Sequence, residues 1–313
     1  MRIVLVTPYL AAARNGNFHT AARWLRFLRR AGHDVEMLKE WDGRAADALI
    51  ALHARRSHSS IARFAALYPV HPLVVILTGT DVYRDIHFDA DAQDSLRLAR
   101  RLVVLQDKGV DELPGAWRAK TRVIYQSAPT LHPAPRPART FDVCVVAHLR
   151  TEKDPFRVAY AARLLPGASR IRVRHVGGPL QADMEKEARA LECPRWHWLG
   201  ALPHGETRRR IARGHLLVIS SRMEGGANVI CEAVTAGTPV LASDIAGNVG
   251  MLGEDYAGYF PLGDETALAG LLWRAESDPA FLALLKRQCA ARAPLFTPEH
   301  EAAAVTSLLE EFT

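Results

Sequence analysis

The chain is poor in cysteine, in aromatic side chains and in long hydrophobic runs. Its four cysteines, Cys144, Cys193, Cys231 and Cys289, are scattered over 313 residues with no C-x-x-C pair, which argues against a disulfide framework and against a structural zinc site. Aromatic residues make up 7% of the chain and no basic run is interleaved with them, so no nucleic-acid partner is expected. No stretch approaches the roughly 18 apolar residues of a membrane span, so no membrane partner is expected either. The start, MRIVLVTPYLAAA, imitates a secretory leader, but its apolar run is short, Pro8 interrupts it and helix-forming sequence follows. Residues 3–7 therefore read as a buried strand, and a cytoplasmic enzyme is the expectation. A G-x-G-x-x-G spacing is missing from the loop after that strand, so no nicotinamide cofactor is proposed. Nor does a D-x-D pair stand in a diphosphate-binding context. Asp89-Ala90-Asp91 has the spacing, but it precedes a helix and reads as capping. The expectation is chemistry with no metal and no cofactor.

What is present is an ordinary globular composition, 49% hydrophobic and 24% charged, over a length that suggests two domains. The formal charge of +6 comes with Arg29-Arg30, Arg100-Arg101 and Arg208-Arg209-Arg210. These clusters fit solvated helix faces, and the modest positive balance also suits small anionic substrates. Apolar runs at 3–7, 35–38, 48–52, 73–77, 102–106 and 123–126, then at 144–149, 172–177, 216–221 and 239–243, alternate with amphipathic helical stretches. That alternation predicts an α/β protein with parallel sheets and right-handed crossovers. SAPTLHPAPRPART, residues 127–140, carries four prolines and reads as a stiff linker. The predicted division is an N-terminal Rossmann-like domain at 1–130, a linker at 131–140, a C-terminal Rossmann-like domain at 141–296 and a terminal helix at 297–313. Such sheets bind ligands at the carboxyl ends of their strands, so a cleft between the domains is the expected active site.

The richest stretch is E-G-G-A-N-V-I-C-E, residues 224–232, followed by AVTAGTPVLAS. Gly225 and Gly226 let a ligand approach the main chain closely. Asn228 reads as an N-cap, residues 229–236 as helix, and Gly237 with Thr238-Pro239 as its end. The amides of Gly226, Ala227, Asn228 and Val229 can meet an anion. Glu232, one turn inside, suits ribose hydroxyls, and Glu224, on the loop, would face a sugar. On local sequence alone a solvated acidic pair beside a strand–helix turn stays open.

Four strand-end loops carry further candidates. In TPYLAAARNGNFHT (7–20) the Asn15-Gly16 turn, with Asn17 and Thr20, precedes a helix start. In TGTDVYRD (78–85) Thr80, Asp81 and Arg84 follow a strand, and His53-Ala54-Arg55-Arg56 follows another. In HLRTEKDP (148–155) Asp154 reads as an N-cap with Pro155 as first helical residue. That places Lys153 at a helix mouth as a point charge for a leaving diphosphate, with Arg150 as a forked donor.

SSRMEGGANVICEAVTAGTPVLAS, HWLGALPHGE and His175-Val176-Gly177-Gly178 resemble the nucleotide-sugar site of family 4 glycosyltransferases. The resemblance covers essentially the C-terminal half. It implies the GT-B fold, two Rossmann-like domains facing a central cleft, with the terminal helix returning to brace the first. It also implies a UDP-sugar held by His148, Gly177, Leu199, Gly225, Gly226, Ala227, Asn228, Val229 and Glu232, with Lys153, Arg150 and Glu224 as catalytic groups. Family members usually have Arg where His148 stands. Either Arg150 supplies that guanidinium or His148 has another task.

The strings TPYLAAARNGNFHTAARW, KEWDGRAADALIALHARRSHSSI, LTGTDVYRDI, RVIYQSAP and AHLRTEKDPFR are more specific, and they resemble the selenosugar synthases of selenoneine biosynthesis. That resemblance implies glycosyl transfer from a UDP-sugar, UDP-N-acetylglucosamine being the expected one, to selenophosphate. UDP and then phosphate would leave, giving a 1-selenosugar. Gly16, Asn17, Thr20, Thr80, Asp81 and Arg84 are the candidate acceptor residues. An anionic selenium nucleophile needs little or no deprotonation, which suits a chain whose only candidate bases are His19, His53 and His87. A conventional transferase with a hydroxyl or thiol acceptor, a nucleotide-sugar isomerase and a non-catalytic nucleotide-sugar sensor stay open.

Overall fold

Short β-branched runs between amphipathic helices form two sheets, and their strands pair in parallel throughout. The computed structural model describes residues 1–8, 16–131 and 135–312; Asn15 of the expected Asn15-Gly16 turn and linker residues 132–134 lie outside the described residues. The first sheet holds β1 (Arg2–Val6), β2 (Asp34–Leu38), β3 (Ala48–Leu52), β4 (Leu73–Ile76), β5 (Arg101–Val104) and β6 (Thr121–Val123), in the order β2-β1-β3-β4-β5-β6. The second holds β7 (Phe141–Val146), β8 (Ile171–Val176), β9 (Trp196–Trp198), β10 (Leu216–Ile219), β11 (Val240–Ser243) and β12 (Tyr259–Phe260), in the order β12-β11-β10-β7-β8-β9. Strand order reverses direction at β1/β3 in one sheet and at β7/β10 in the other. Open α/β sheets bind their ligands outside the carboxyl ends of the strands at such points.

Strands that are covered on both faces read as continuous apolar runs, and β3 shows how. Its alternate residues point to opposite faces: Leu49 and Ala51 pack with Trp41, Ile61 and Phe64, while Ala48, Ile50 and Leu52 pack with Trp24 and Leu28. Val305, Leu308 and Leu309 of the helix Pro298–Glu310 join the second group. Glu301 of that helix is buried and accepts from Arg23 Nε at 2.9 Å, Trp24 Nε1 at 3.1 Å and the Ser127 amide at 2.8 Å. A buried carboxylate is tolerated only with such partners.

The chain divides into two compact units. One comprises Met1–Ser127, Glu224–Asn228 and Pro298–Thr313; the other comprises Ala128–Met223 and Val229–Thr297. Residues 224–228, expected with the second domain, thus group with the first. Among the described residues no helix is long and apolar enough to cross a membrane.

The helix expected after residue 228 runs Asn228–Thr235. It ends in a Schellman motif: the Thr238 amide donates to Ala233 and the Gly237 amide to Val234, with Gly237 at φ +69°. The edge strands β9 and β12, of three and two residues, are too short for a periodic signal in the sequence. Asp154 is a correction. It is no N-cap but a left-handed residue at φ 42° closing the 3-10 turn Thr151–Lys153, and the following helix starts only at Arg157. Its carboxylate is drawn to Arg157 Nε, 3.0 Å away, which leaves it unavailable for capping.

Candidate functional site

In the second unit, the loops leaving β7, β8 and β9 are joined by main-chain hydrogen bonds. The Leu149 amide donates to Gly178, Leu180 to Leu149, Gly177 to Gly200 and Leu199 to His175, all within 2.8–3.1 Å. Gly177 sits so close to the β7 loop that a Cβ there would overlap the Ala147 carbonyl. Its carbonyl accepts from Trp198 Nε1 at 2.8 Å. A glycine is therefore required by packing, whether or not a ligand approaches. His148 adds a side-chain tie, its Nδ1 accepting the Gly178 amide at 3.1 Å. A guanidinium has no acceptor and cannot make this bond, so an arginine at the same place would lose the tie to Gly178. His175, beneath these loops, is fully buried. Burial lowers its pKa to about 4, and the neutral ring donates through Nε2 to the Ala147 carbonyl at 2.9 Å.

Arg150 precedes and Lys153 ends the 3-10 turn at the end of the β7 loop, and both are half-buried. Ser220, just past β10, pins that turn by donating to the carbonyls of Asp154 at 2.9 Å and Lys153 at 3.3 Å. The Arg222 amide donates to the Glu152 carbonyl. Lys153 and Arg150 are thus carried by a loop bridging the β7/β10 switch point. Val229 opens this unit's part of the Asn228–Thr235 helix. Glu232, 12% exposed, is held 2.6 Å from Nε2 of His204, which is 53% exposed. His204 lies within HWLGALPHGE, but nothing in the sequence tied it to Glu232: it opens another helix, His204–Arg213, 28 positions away.

In the first unit, residues 224–228 pack against main chain. A Cβ on Gly225 would overlap the Thr78 carbonyl and one on Gly226 would meet the Leu105 side chain, so the two glycines admit neighbouring protein chain here. Glu224 and Ala227 are buried. Glu224 contributes, after burial and Glu112, to pushing the Tyr83 phenol well above its ordinary range. Asn228 is the first helical residue, and its carboxamide oxygen accepts from Arg23 Nη1 at 2.9 Å. That partner occupies the oxygen an N-cap would use.

The acceptor candidates separate into two groups. Thr20 and Asp81 are consumed internally: Thr20, buried, donates to the Gly16 carbonyl at 3.0 Å. Asp81, fully buried, accepts from the amides of Thr78 and Gly79 at 2.8 Å and of Ala54 at 3.0 Å. This carboxylate shapes the loops after β3 and β4 and is not presented to a ligand. Gly16 and Asn17 open the helix Gly16–Arg30, Gly16 exposed and Asn17 half-buried. Thr80 is half-buried with its Oγ1 3.1 Å from His53 Nε2, and Arg84 Nε is 3.0 Å from Asp85. His53, buried and left-handed at φ 74°, is with Asp154 one of two left-handed non-glycine positions among the described residues. Such conformations concentrate at functional sites. Of the other candidate bases, His87 lies 3.4 Å from Glu112 and His19 is half-buried in the Gly16–Arg30 helix. Asp89 caps the helix Ala90–Leu98 through the Ala92 amide.

Residues 132–293 match the family described as Glycosyl transferases group 1. None of the curated proteins matches the chain. Among solved structures, the chain is similar to sucrose-phosphate synthase from Thermosynechococcus elongatus, at 18% identity and a TM-score of 0.80, covering 99% of this chain and 98% of that one. It is similar to HepE of Anabaena in complex with UDP-glucose, at 17% identity and a TM-score of 0.79, covering 99% and 100%. A glycosyltransferase from Rickettsia africae follows at 12% identity and a TM-score of 0.74, covering 99% and 98%. At these identities the likeness is one of fold, and it gives the GT-B arrangement of two Rossmann-like sheets.

Proposed function

The chain belongs to the group 1 glycosyl transferases, and on that premise we propose that it transfers a sugar from a UDP-sugar, UDP-N-acetylglucosamine in the first instance, to selenophosphate. Selenium attacks the anomeric carbon, the bond from that carbon to the diphosphate oxygen breaks, and UDP leaves with the electron pair. Water then cleaves the phosphorus–selenium bond, releasing phosphate and leaving a 1-selenosugar. The proposed donor groups are Lys153 and Arg150 on the diphosphate, the amides at 226–229, Glu232 on the ribose and Glu224 on the sugar. The observation that carries the donor half is the Lys153 turn, fixed across the β7/β10 switch point by Ser220. A cation held there in advance stabilises charge on the departing diphosphate without reorganising. The UDP-glucose complex of HepE supports a UDP-sugar as donor.

The selenophosphate half rests on the N-terminal strings, which resemble the selenosugar synthases (SenB). No base is needed, because the acceptor arrives as an anion with a soft, polarisable nucleophilic atom. Turnover is proposed to be independent of metal and cofactor, so EDTA should leave it unchanged.

The deciding experiment measures UDP release from UDP-N-acetylglucosamine with selenophosphate, thiophosphate, inorganic phosphate, a thiol and a sugar alcohol offered separately. Selenophosphate should be preferred, with a selenosugar as product. Preference for the thiol or the alcohol would return the chain to conventional glycosyl transfer. UDP released with no acceptor would indicate an isomerase, and binding without consumption would indicate a sensor.

A further inference from the structure

The first unit holds a cluster that the donor chemistry leaves unused. Asp85, 5% exposed, accepts from Arg55 Nε at 3.0 Å through one carboxylate oxygen and from Arg84 Nε at 3.0 Å through the other. A guanidinium carries five N–H donors in a fixed fork. Spending Nε–H on Asp85 holds each fork still and leaves its two terminal amino groups. Both side chains are about half exposed, 40% for Arg55 and 48% for Arg84. Apart from a loose approach of Arg55 to Asp89, at 3.9 Å, no carboxylate among the described residues pairs with these terminal groups. One carboxylate between two guanidiniums leaves the trio with a charge of about +1, and Asp81 nearby is already saturated by backbone donors.

The third element is Thr80. His53 Nδ1 accepts the Arg56 amide at 3.4 Å, so the ring proton sits on Nε2 and is donated to Thr80 Oγ1 at 3.1 Å. That leaves the Thr80 hydroxyl hydrogen for an outside acceptor. His53 reaches this position through its left-handed backbone, and Arg84 and Asp85 through a π-helical turn, Asp81–Asp85. Left-handed non-glycine residues and π turns are both costly and recur at functional sites. The loop bearing His53 and Arg55 follows β3, one of the two strands at this sheet's switch point.

We propose that Arg55 and Arg84, fixed as a pair by Asp85, form with the Thr80 hydroxyl a site for a tetrahedral oxyanion, the phosphoryl end of the acceptor. The inference rests on the reading of the chain as a transferase with an anionic acceptor, and it deepens that reading by naming the residues that recognise the anion. Arg55 and Arg84 would touch the acceptor. Asp85 and His53 are positioning residues.

The test is steady-state kinetics with selenophosphate varied at saturating UDP-N-acetylglucosamine, for wild type, Arg55→Gln, Arg84→Gln and Asp85→Asn. Arg55→Gln and Arg84→Gln should raise the KM for selenophosphate about 10- to 100-fold, as expected for loss of a charge-assisted hydrogen bond. The donor KM should stay within about twofold. Asp85→Asn should raise the acceptor KM less, about 3- to 10-fold, because it frees the forks without removing them. Arg55→Lys, which keeps the charge on a less disruptive side chain, should fall between wild type and Arg55→Gln. Calorimetric binding of inorganic phosphate to the UDP-loaded enzyme gives a readout that needs no turnover. If wild type binds phosphate, Arg55→Gln does not, and selenophosphate is never consumed, the anion site stands and the selenophosphate reading falls. If selenophosphate is consumed with the same acceptor KM by wild type and both glutamine variants, the site falls and the reading stands. Donor and acceptor KM rising together in every variant would also overturn the site, since that pattern marks general damage to the fold.

Discussion

The strand-end loops of the second unit and those of the first are fixed by opposite means. In the second, main chain bonds to main chain: the loops after β7, β8 and β9 exchange amide and carbonyl contacts, and Gly177 lets them touch. In the first, buried carboxylates collect scattered donors: Asp81 gathers three amides, Asp85 two guanidiniums, and Glu301 an arginine, a tryptophan and a serine. Main-chain ties fix a loop without drawing on its side chains. Carboxylate clamps commit side chains to architecture, and only those at the edge of the clamp remain for chemistry.

The comparison breaks most visibly at Asp81. Asp81→Ala strands three amides at about 1–3 kcal/mol each, so chemical denaturation should show a loss of at least about 3 kcal/mol; a loss below about 1 kcal/mol would mean that the clamp is dispensable. On the other side, Lys153→Ala should cost about 10²–10³ in kcat with a nearly unchanged thermal midpoint, because Ser220 holds the turn through the carbonyls of Lys153 and Asp154. Normal turnover in that variant would remove Lys153 from the reaction.

His175 sharpens the contrast through pH. Its folded pKa of about 4 lies below the ordinary 6.5, so above pH 6.5 both folded and unfolded chains hold it neutral. Between pH 6.5 and 4 only the unfolded chain takes up the proton, and stability falls as pH falls, by about 3 kcal/mol across the window. Denaturant titrations of wild type and His175→Asn at pH 7 and 4.5 should differ by that extra slope, and parallel curves would show that His175 is not held neutral. The smallest effect belongs to His148→Arg. Losing the tie to Gly178 should weaken UDP binding about tenfold, while His148→Gln, whose carboxamide oxygen can accept the amide, should retain most of the affinity. Equal binding by the arginine variant would show that the tie does not position the donor loops.

How much of this was legible in the sequence follows the same division. Buried strands announce themselves by apolar runs, and the turn after the Asn228–Thr235 helix by Gly237, because these signals are local. Gly225 and Gly226 were visible as glycines that admit a close approach, and Gly177 only through the family resemblance. That the neighbour is main chain at Gly177 and Gly225 and the Leu105 side chain at Gly226 could not be read from a string of letters. Asp81 looked like an acceptor ligand because its donor Ala54 lies 27 positions away, and no local pattern encodes a long-range clamp. The pairing of Glu232 with His204, and of Arg55 with Arg84 through Asp85, was hidden for the same reason. Asp154 misled because Asp-Pro is a strong helix-start signal, yet here Arg157 claims the carboxylate.

The placement of the helix Pro298–Glu310 in the first unit has a consequence for biosynthesis. The first unit is discontinuous in sequence, interrupted by nearly the whole of the second. On a ribosome, residues 1–127 emerge early, but Arg23 and Trp24 must wait for Glu301, and one face of the sheet waits for Val305, Leu308 and Leu309. Domains fold as units while synthesis proceeds, so the second unit, complete at Thr297, has its whole sequence available first, and the earliest-made part of the enzyme is the last to close its core.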